Sequence, residues 1–135
     1  MPQPLRILLL EDNPRDAELL LWELRRAGFN PDWKRVQTQE EFVAALDPGL
    51  DLILADYALP KFDGLRALQL VQDRGLDVPF ILVSGAIGEE TAVAAVRRGA
   101  ADYLLKDRPA RLGAAVTHAL QQRRTRDERN ASEAA

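Results

Sequence analysis

Five short apolar runs alternate along the chain with longer stretches in which apolar residues return every three or four positions. Leu5-Arg6-Ile7-Leu8-Leu9-Leu10, Leu50-Asp51-Leu52-Ile53-Leu54-Ala55-Asp56 and Val78-Pro79-Phe80-Ile81-Leu82-Val83-Ser84 are dense in branched residues and bounded by turn formers. That pattern predicts strands buried on both faces. Asp32–Val36 alternates more weakly and predicts an edge strand, and Asp102–Lys106 a short last one.

The intervening stretches read as helices. Asn13 is an N-cap and Pro14 suits the first helical position; Ala17, Leu20, Leu21, Leu24 and Ala27 then form one stripe, closed by Gly28. Trp22 lies off that stripe and reads as a partly exposed aromatic. Thr38 with Glu41 makes a capping-box pattern for a second helix carrying Phe42, Val43 and Leu46, ended by Pro48-Gly49. Asp63-Gly64 opens a third, with Leu65, Leu68, Leu70 and Val71 inward and Gly75 as its stop. Glu89-Glu90 opens a fourth, in which Ala92, Val93, Val96 and Ala100 are expected to face the core before Gly99 closes it. Pro109 starts a final helix with the stripe Leu112, Ala115, Val116, Ala119 and Leu120. Beyond Leu120 the stripe stops. We therefore read 1–120 as the domain and 121–135 as a polar extension: a frayed helix end with a disordered tail, or alternatively a helical arm that pairs with another subunit.

Strand and helix alternate five times with short connections, the pattern of a doubly wound parallel sheet covered on both faces, an α/β fold. At 135 residues the chain is one domain by length. Its net charge of -3 does not suggest a broad nucleic-acid surface. With no cysteine and one histidine, thiolate chemistry and His-rich zinc sites drop out. No apolar run approaches the roughly 18 residues a bilayer needs, and Met1-Pro2-Gln3-Pro4 enters a strand without a signal-peptide pattern. The expectation is a cytoplasmic protein with neither a membrane nor a nucleic-acid partner.

The strand ends carry the chemistry. The first run ends in Glu11-Asp12, the third in Asp56, the fourth in Ser84 and the fifth in Lys106. Leu59-Pro60 forbids the central strand to continue. Open α/β sheets bind their ligands outside these carboxyl ends. Taken singly, an Asp at a strand end is a turn cap and a Lys a surface charge. Together, in this order and spacing, the groups make a specific signature.

From about Leu5 to Leu120 the chain resembles the receiver domain of two-component response regulators. The matching residues are Glu11-Asp12, Asp56 with Leu59-Pro60 and Asp63-Gly64, Ser84-Gly85, Gly99-Ala100, Asp102-Tyr103 and Lys106. The stretch Val83–Thr91 also resembles receivers that accompany sensor kinases, including free-standing ones. The resemblance implies a flavodoxin-like sheet in the order 2-1-3-4-5, in which the tips of strands 1, 3, 4 and 5 converge. Three carboxylates there repel one another, and Lys106 leaves about two negative charges uncompensated. A hard divalent cation with oxygen ligands matches that deficit: Mg²⁺, with Mn²⁺ as a substitute. Carboxylate, metal, lysine and hydroxyl are the parts needed for phosphoryl transfer.

Residue by residue, the resemblance implies that Asp56 is the phospho-acceptor, assisted by Ser84 and Lys106, which bind phosphoryl oxygens. Asp12 would bind Mg²⁺ directly, Glu11 mainly through water, and Asp56 and the backbone carbonyl of Ala58 would complete the set. Tyr103 would turn inward when Ser84 moves, completing a switch that biases the face made by helix 4, strand 5 and helix 5. Many receivers carry proline after this lysine with a cis bond; here Asp107 follows. A cis Lys106-Asp107 bond would cost roughly 3 kcal/mol, so either trans geometry or stored strain is expected.

The function expected is that of a single-domain response regulator: not an enzyme in the ordinary sense, but a chain that catalyses its own phosphorylation and dephosphorylation. Its donor would be a sensor histidine kinase or a histidine phosphotransfer protein, since His118 lies off the last stripe and lacks kinase machinery around it. Without a following DNA-binding domain, output would be a protein contact, such as a homodimer through the helix 4–strand 5–helix 5 face or the C-terminal helix. The rivals are a phosphorylation-independent binding or dimerisation module and a receiver piece of a hybrid kinase. An Asp-based phosphatase is disfavoured by Ala58, where such enzymes carry a second Asp. A flavodoxin-like cofactor protein is disfavoured because no phosphate-cradling Gly-rich loop follows strand one.

Overall fold

A computed structural model describes residues 2–59, 62–85 and 89–134. Five parallel strands, β1 (Gln3–Leu10), β2 (Phe29–Val36), β3 (Leu52–Asp56), β4 (Phe80–Ser84) and β5 (Asp102–Leu105), form one sheet in the order β2-β1-β3-β4-β5. The helices between them are α1 (Pro14–Arg26), α2 (Gln39–Ala45), α3 (Gly64–Asp73) and α4 (Glu89–Arg97); α5 (Leu112–Ala134) follows β5. This is the doubly wound, flavodoxin-like (βα)5 architecture.

The alternation of side chains along each strand divides the core in two. Leu52 and Leu54 of β3 point to the layer built with Leu20, Leu21 and Leu24 of α1 and Leu112 and Val116 of α5. Their neighbours Ile53 and Ala55 point to the opposite layer, with Phe42 of α2, Leu68 and Val71 of α3, and Ala95 of α4. Burial on both sides explains why residues 7–10 of β1, 52–55 of β3 and 80–83 of β4 are unbroken apolar runs. β2, at the edge, is largely exposed between Phe29 and Val36, and it begins three residues before the stretch that alternation marks.

Local chemistry sets the helix starts. Asn13 Oδ1 accepts from Arg15 N–H at 2.9 Å with Pro14 at the first helical position. Thr38 Oγ1 accepts from Glu41 N–H at 3.1 Å, while Glu41 returns to the Thr38 hydroxyl and the Gln37 N–H. Asp63 Oδ1 caps α3 through Arg66 N–H at 2.9 Å. Gly28, Gly75 and Gly99 leave their helices with φ of +99°, +67° and +113°, where a Cβ would be strained.

Some expectations need correction. Val93 and Val96 are 43% and 46% exposed; the core face of α4 is made instead by Ala92 and Ala95, with Ala100 beyond its end. Small side chains there let α4 lie close to the sheet, and the period set by residues 92 and 95 turns the valines outward. Ala27 is exposed at the end of α1, whereas Glu23, which apolar patterning passes over, is buried. Pro109 starts a 3₁₀ turn (Pro109–Arg111) rather than α5 itself. The Lys106-Asp107 bond is trans, as are all peptide bonds of the described residues. Pro60, read as the stop of the central strand, and residues 86–88 of the stretch Val83–Thr91 lie outside the described residues. The polar extension is helical: α5 continues to Ala134, and Arg123 donates to the Leu50 carbonyl at 3.0 Å while Arg126 pairs with Asp77 at 3.1 Å.

Candidate functional site

The carboxyl ends of β1, β3, β4 and β5 lie side by side because the crossovers place strands in that order. Backbone hydrogen bonds lock the residues just beyond the tips to the neighbouring strand. Glu11 N–H donates to Val36 O (3.0 Å), Tyr57 N–H to Val83 O (2.9 Å) and Lys106 N–H to Ser84 O (2.8 Å). The groups predicted from sequence thus arrive on a rigid frame rather than on free loops.

Carboxylate oxygens of Glu11, Asp12 and Asp56 come within 4.8 Å of one another. Glu11 is 2% and Asp56 6% exposed, whereas Asp12 is open to solvent. Lys106 reaches over them: its Nζ donates to Asp56 Oδ2 at 3.0 Å and Glu11 Oε2 at 2.9 Å. Glu11 Oε1 accepts the Asn13 N–H at 3.0 Å, and Asp56 Oδ1 accepts the Ala58 N–H at 2.9 Å. Ala58 is therefore beside the Asp56 carboxylate. Ser84 is 1% exposed at the end of β4. Tyr103, on β5, is half-buried against the α2–α3–α4 layer, with its N–H bonded to Asp102 Oδ1 at 2.8 Å.

Two residues of the site were not anticipated. Asp16, in the first turn of α1, accepts from Lys106 Nζ at 2.7 Å, the shortest of the three lysine contacts. An acid at that position already has an ordinary local explanation in the helix dipole, so the sequence offers no sign that it reaches another element. Arg35 of β2 also touches the site, donating to the Glu11 carbonyl at 3.2 Å.

The electrostatics follow from crowding. Burial pushes the Glu11 carboxyl up to about 7; hydrogen bonds from Lys106 and the Asn13 N–H pull against that, and the Asp56 charge adds to it. Burial works to lower the Lys106 ammonium. Its hydrogen bonds to Asp16, Glu11 and Asp56 outweigh this and hold it above the usual lysine range. One ammonium, in contact with three carboxyl groups, stands against four acidic side chains, so acid outnumbers base in the pocket. Its donors are all hard oxygens, and three of them lie close enough to share one ion. That is the donor set for Mg²⁺ rather than for a softer metal.

The comparisons with known proteins agree with this geometry. Residues 7–117 match the family model of the response regulator receiver domain. The swarming motility regulation protein RssB of Serratia marcescens is 34% identical over 102 residues, 76% of this chain and 46% of that protein. The transcriptional activator protein PfeR of Pseudomonas aeruginosa is 37% identical over 110 residues, 78% of this chain and 34% of its own length. The chain thus spans less than half the length of each of these curated relatives. Among solved structures, NtrX from Brucella abortus superposes with a TM-score of 0.81 at 26% identity, over 96% of this chain and 30% of that one. A receiver domain protein from Clostridium thermocellum gives 0.75 at 19% identity over 90% and 98%, a likeness of fold. Sequence match, strand order and the acidic strand-tip pocket lead to one conclusion: the chain belongs to the response regulator receiver domain family of two-component signalling.

Proposed function

We propose that this receiver domain takes a phosphoryl group from phosphohistidine on a sensor histidine kinase, or on a histidine phosphotransfer protein, onto Asp56. The observation that supports this most is the buried Asp56 carboxylate, joined by Lys106 Nζ at 3.0 Å and flanked by Glu11 and Asp12 at the strand tips. Asp56 Oδ2 is the attacking oxygen. It forms a bond to phosphorus as the phosphorus–nitrogen bond of the donor breaks, and the electron pair leaves with the imidazole nitrogen. Lys106 and the Ser84 hydroxyl hold phosphoryl oxygens as negative charge gathers on them. The Ala58 N–H fixes Asp56 through its other oxygen, so the carboxylate is held in one orientation before the donor arrives.

Glu11, Asp12, Asp56 and the Ala58 carbonyl would hold Mg²⁺, which when bound screens the acidic pocket from its anionic donor. Phosphorylation adds roughly -1.5 to -2 charge. Closing Ser84 onto the new group and turning Tyr103 inward would bias the α4–β5–α5 face between two states. That face, or the α5 extension, would form the contact with an effector or a second copy in the cytoplasm.

The test is treatment of the wild type and Asp56→Asn with a small phosphodonor and Mg²⁺, read by intact mass. Wild type should gain one phosphoryl group and Asp56→Asn none. Equal gain by both would overturn the assignment.

A further inference from the structure

We propose that Asp16 is a positioning residue for Lys106, tethering the ammonium from α1 so that it stays aimed at Asp56 while the other carboxylates are engaged elsewhere. This rests on the phosphoryl-transfer reading of the site. Lys106 has three N–H donors, and all three are taken by carboxylates: Glu11 at 2.9 Å, Asp56 at 3.0 Å and Asp16 at 2.7 Å. Glu11 and Asp56 also belong to the group of oxygens close enough to share a cation; Asp16 does not. Two of the three lysine contacts are therefore open to competition from a metal ion, and Asp56 changes again when it gains a phosphoryl group. The Asp16 contact alone is independent of both events.

The tether joins elements far apart in sequence, since 90 residues separate Asp16 from Lys106. Asp16 sits in the first turn of α1, which packs against α5 and the 3₁₀ turn that follows β5. Its position is thus set by the same body that carries the strand tip of Lys106. A lysine side chain held only by Glu11 and Asp56 would lose its geometry as those partners were drawn away, because four rotatable bonds separate Nζ from the backbone. Holding Lys106 also limits how strongly it competes with a cation for Glu11 and Asp56. The ordinary alternative is that Asp16 merely favours the N-terminus of α1 through the helix dipole. Such a role would move stability slightly and leave both the lysine and the metal site unchanged.

The experiment compares wild type, Asp16→Asn and Asp16→Glu, each alone and with Lys106→Met. Mg²⁺ binding is measured calorimetrically without donor, the Lys106 ε-methylene by NMR, and phosphorylation by intact mass over time at saturating Mg²⁺. In Asp16→Asn the Mg²⁺ dissociation constant should rise about three- to tenfold, since a negative charge leaves and Lys106 is released toward Glu11 and Asp56. The Lys106 ε-methylene should gain mobility, and phosphorylation should slow about tenfold. Asp16→Glu should recover most of each effect. In Lys106→Met, Asp16→Asn should add no further slowing. Unchanged lysine mobility and Mg²⁺ affinity in Asp16→Asn would overturn the tether, as would faster phosphorylation or a slowing that persists without Lys106. Wild-type protein that neither binds Mg²⁺ nor gains a phosphoryl group would overturn the parent reading, and this one with it.

Discussion

Raising the pH of the metal-free protein from about 5 to about 8 should cost it stability through a single carboxyl group, Glu11. Burial at the tip of β1 lifts this group from an ordinary 4.5 to about 7. A carboxyl that holds its proton more tightly folded than unfolded stabilises the fold below 4.5 and loses that contribution as pH rises to about 7. At about 1.36 kcal/mol per pKa unit, the loss amounts to about 3 kcal/mol. Urea denaturation in chelator at a series of pH values isolates it when wild type is compared with Glu11→Gln, which keeps the shape and cannot ionise. The difference between the two curves should grow in favour of Glu11→Gln by about 3 kcal/mol between about pH 4.5 and pH 7 and then level off. Mg²⁺ should close the gap at high pH, because a cation held by ionised Glu11 stabilises only the wild type in this way. Parallel pH profiles for the two proteins would refute the claim that Glu11 is both buried and protonated near neutrality.

Other outcomes follow from the same geometry. Lys106→Met leaves Glu11 and Asp56 buried without their cation, so urea midpoints at about pH 8 should show a loss of about 3 kcal/mol, smaller near pH 6 where Glu11 takes a proton. In Gly64→Ala the new Cβ would collide with Leu82 Cδ1 and press on the Asp56 carbonyl at 3.1 Å, so a loss of about 1–3 kcal/mol is expected in denaturant titrations. Val93→Ser and Val96→Ser should each change stability by less than about 0.5 kcal/mol, since both side chains already face solvent. A large loss at either would mean that α4 packs in the register that hydrophobic spacing suggested.

What could be read from the chain and what could not divides along a physical line. Capping is a local transaction, so Asn13, Thr38, Glu41 and Asp63 announce their helices within three or four residues of sequence. Strands buried on both faces need runs of consecutive apolar residues, and β1, β3 and β4 are visible because each contains one of four residues. Small residues carry a weaker signal. Alanine tolerates either side of a helix, and the valines of α4 outweigh it in any hydrophobic pattern, though they face outward.

By itself the sequence determined that five strands alternate with five helices and that acids, a hydroxyl and a lysine stand where the strands end. Which strands are neighbours was an inference from resemblance, because parallel pairing joins segments whose register no local pattern records. Only the tertiary structure decided that Asp16 closes onto Lys106, that burial lifts the Glu11 carboxyl above its ordinary range, and that α5 runs on past its apolar stripe. Each of those depends on distances and solvent exclusion set by several elements at once. A charge acquires its strength from what surrounds it in space, and the order of residues along a chain does not carry that information.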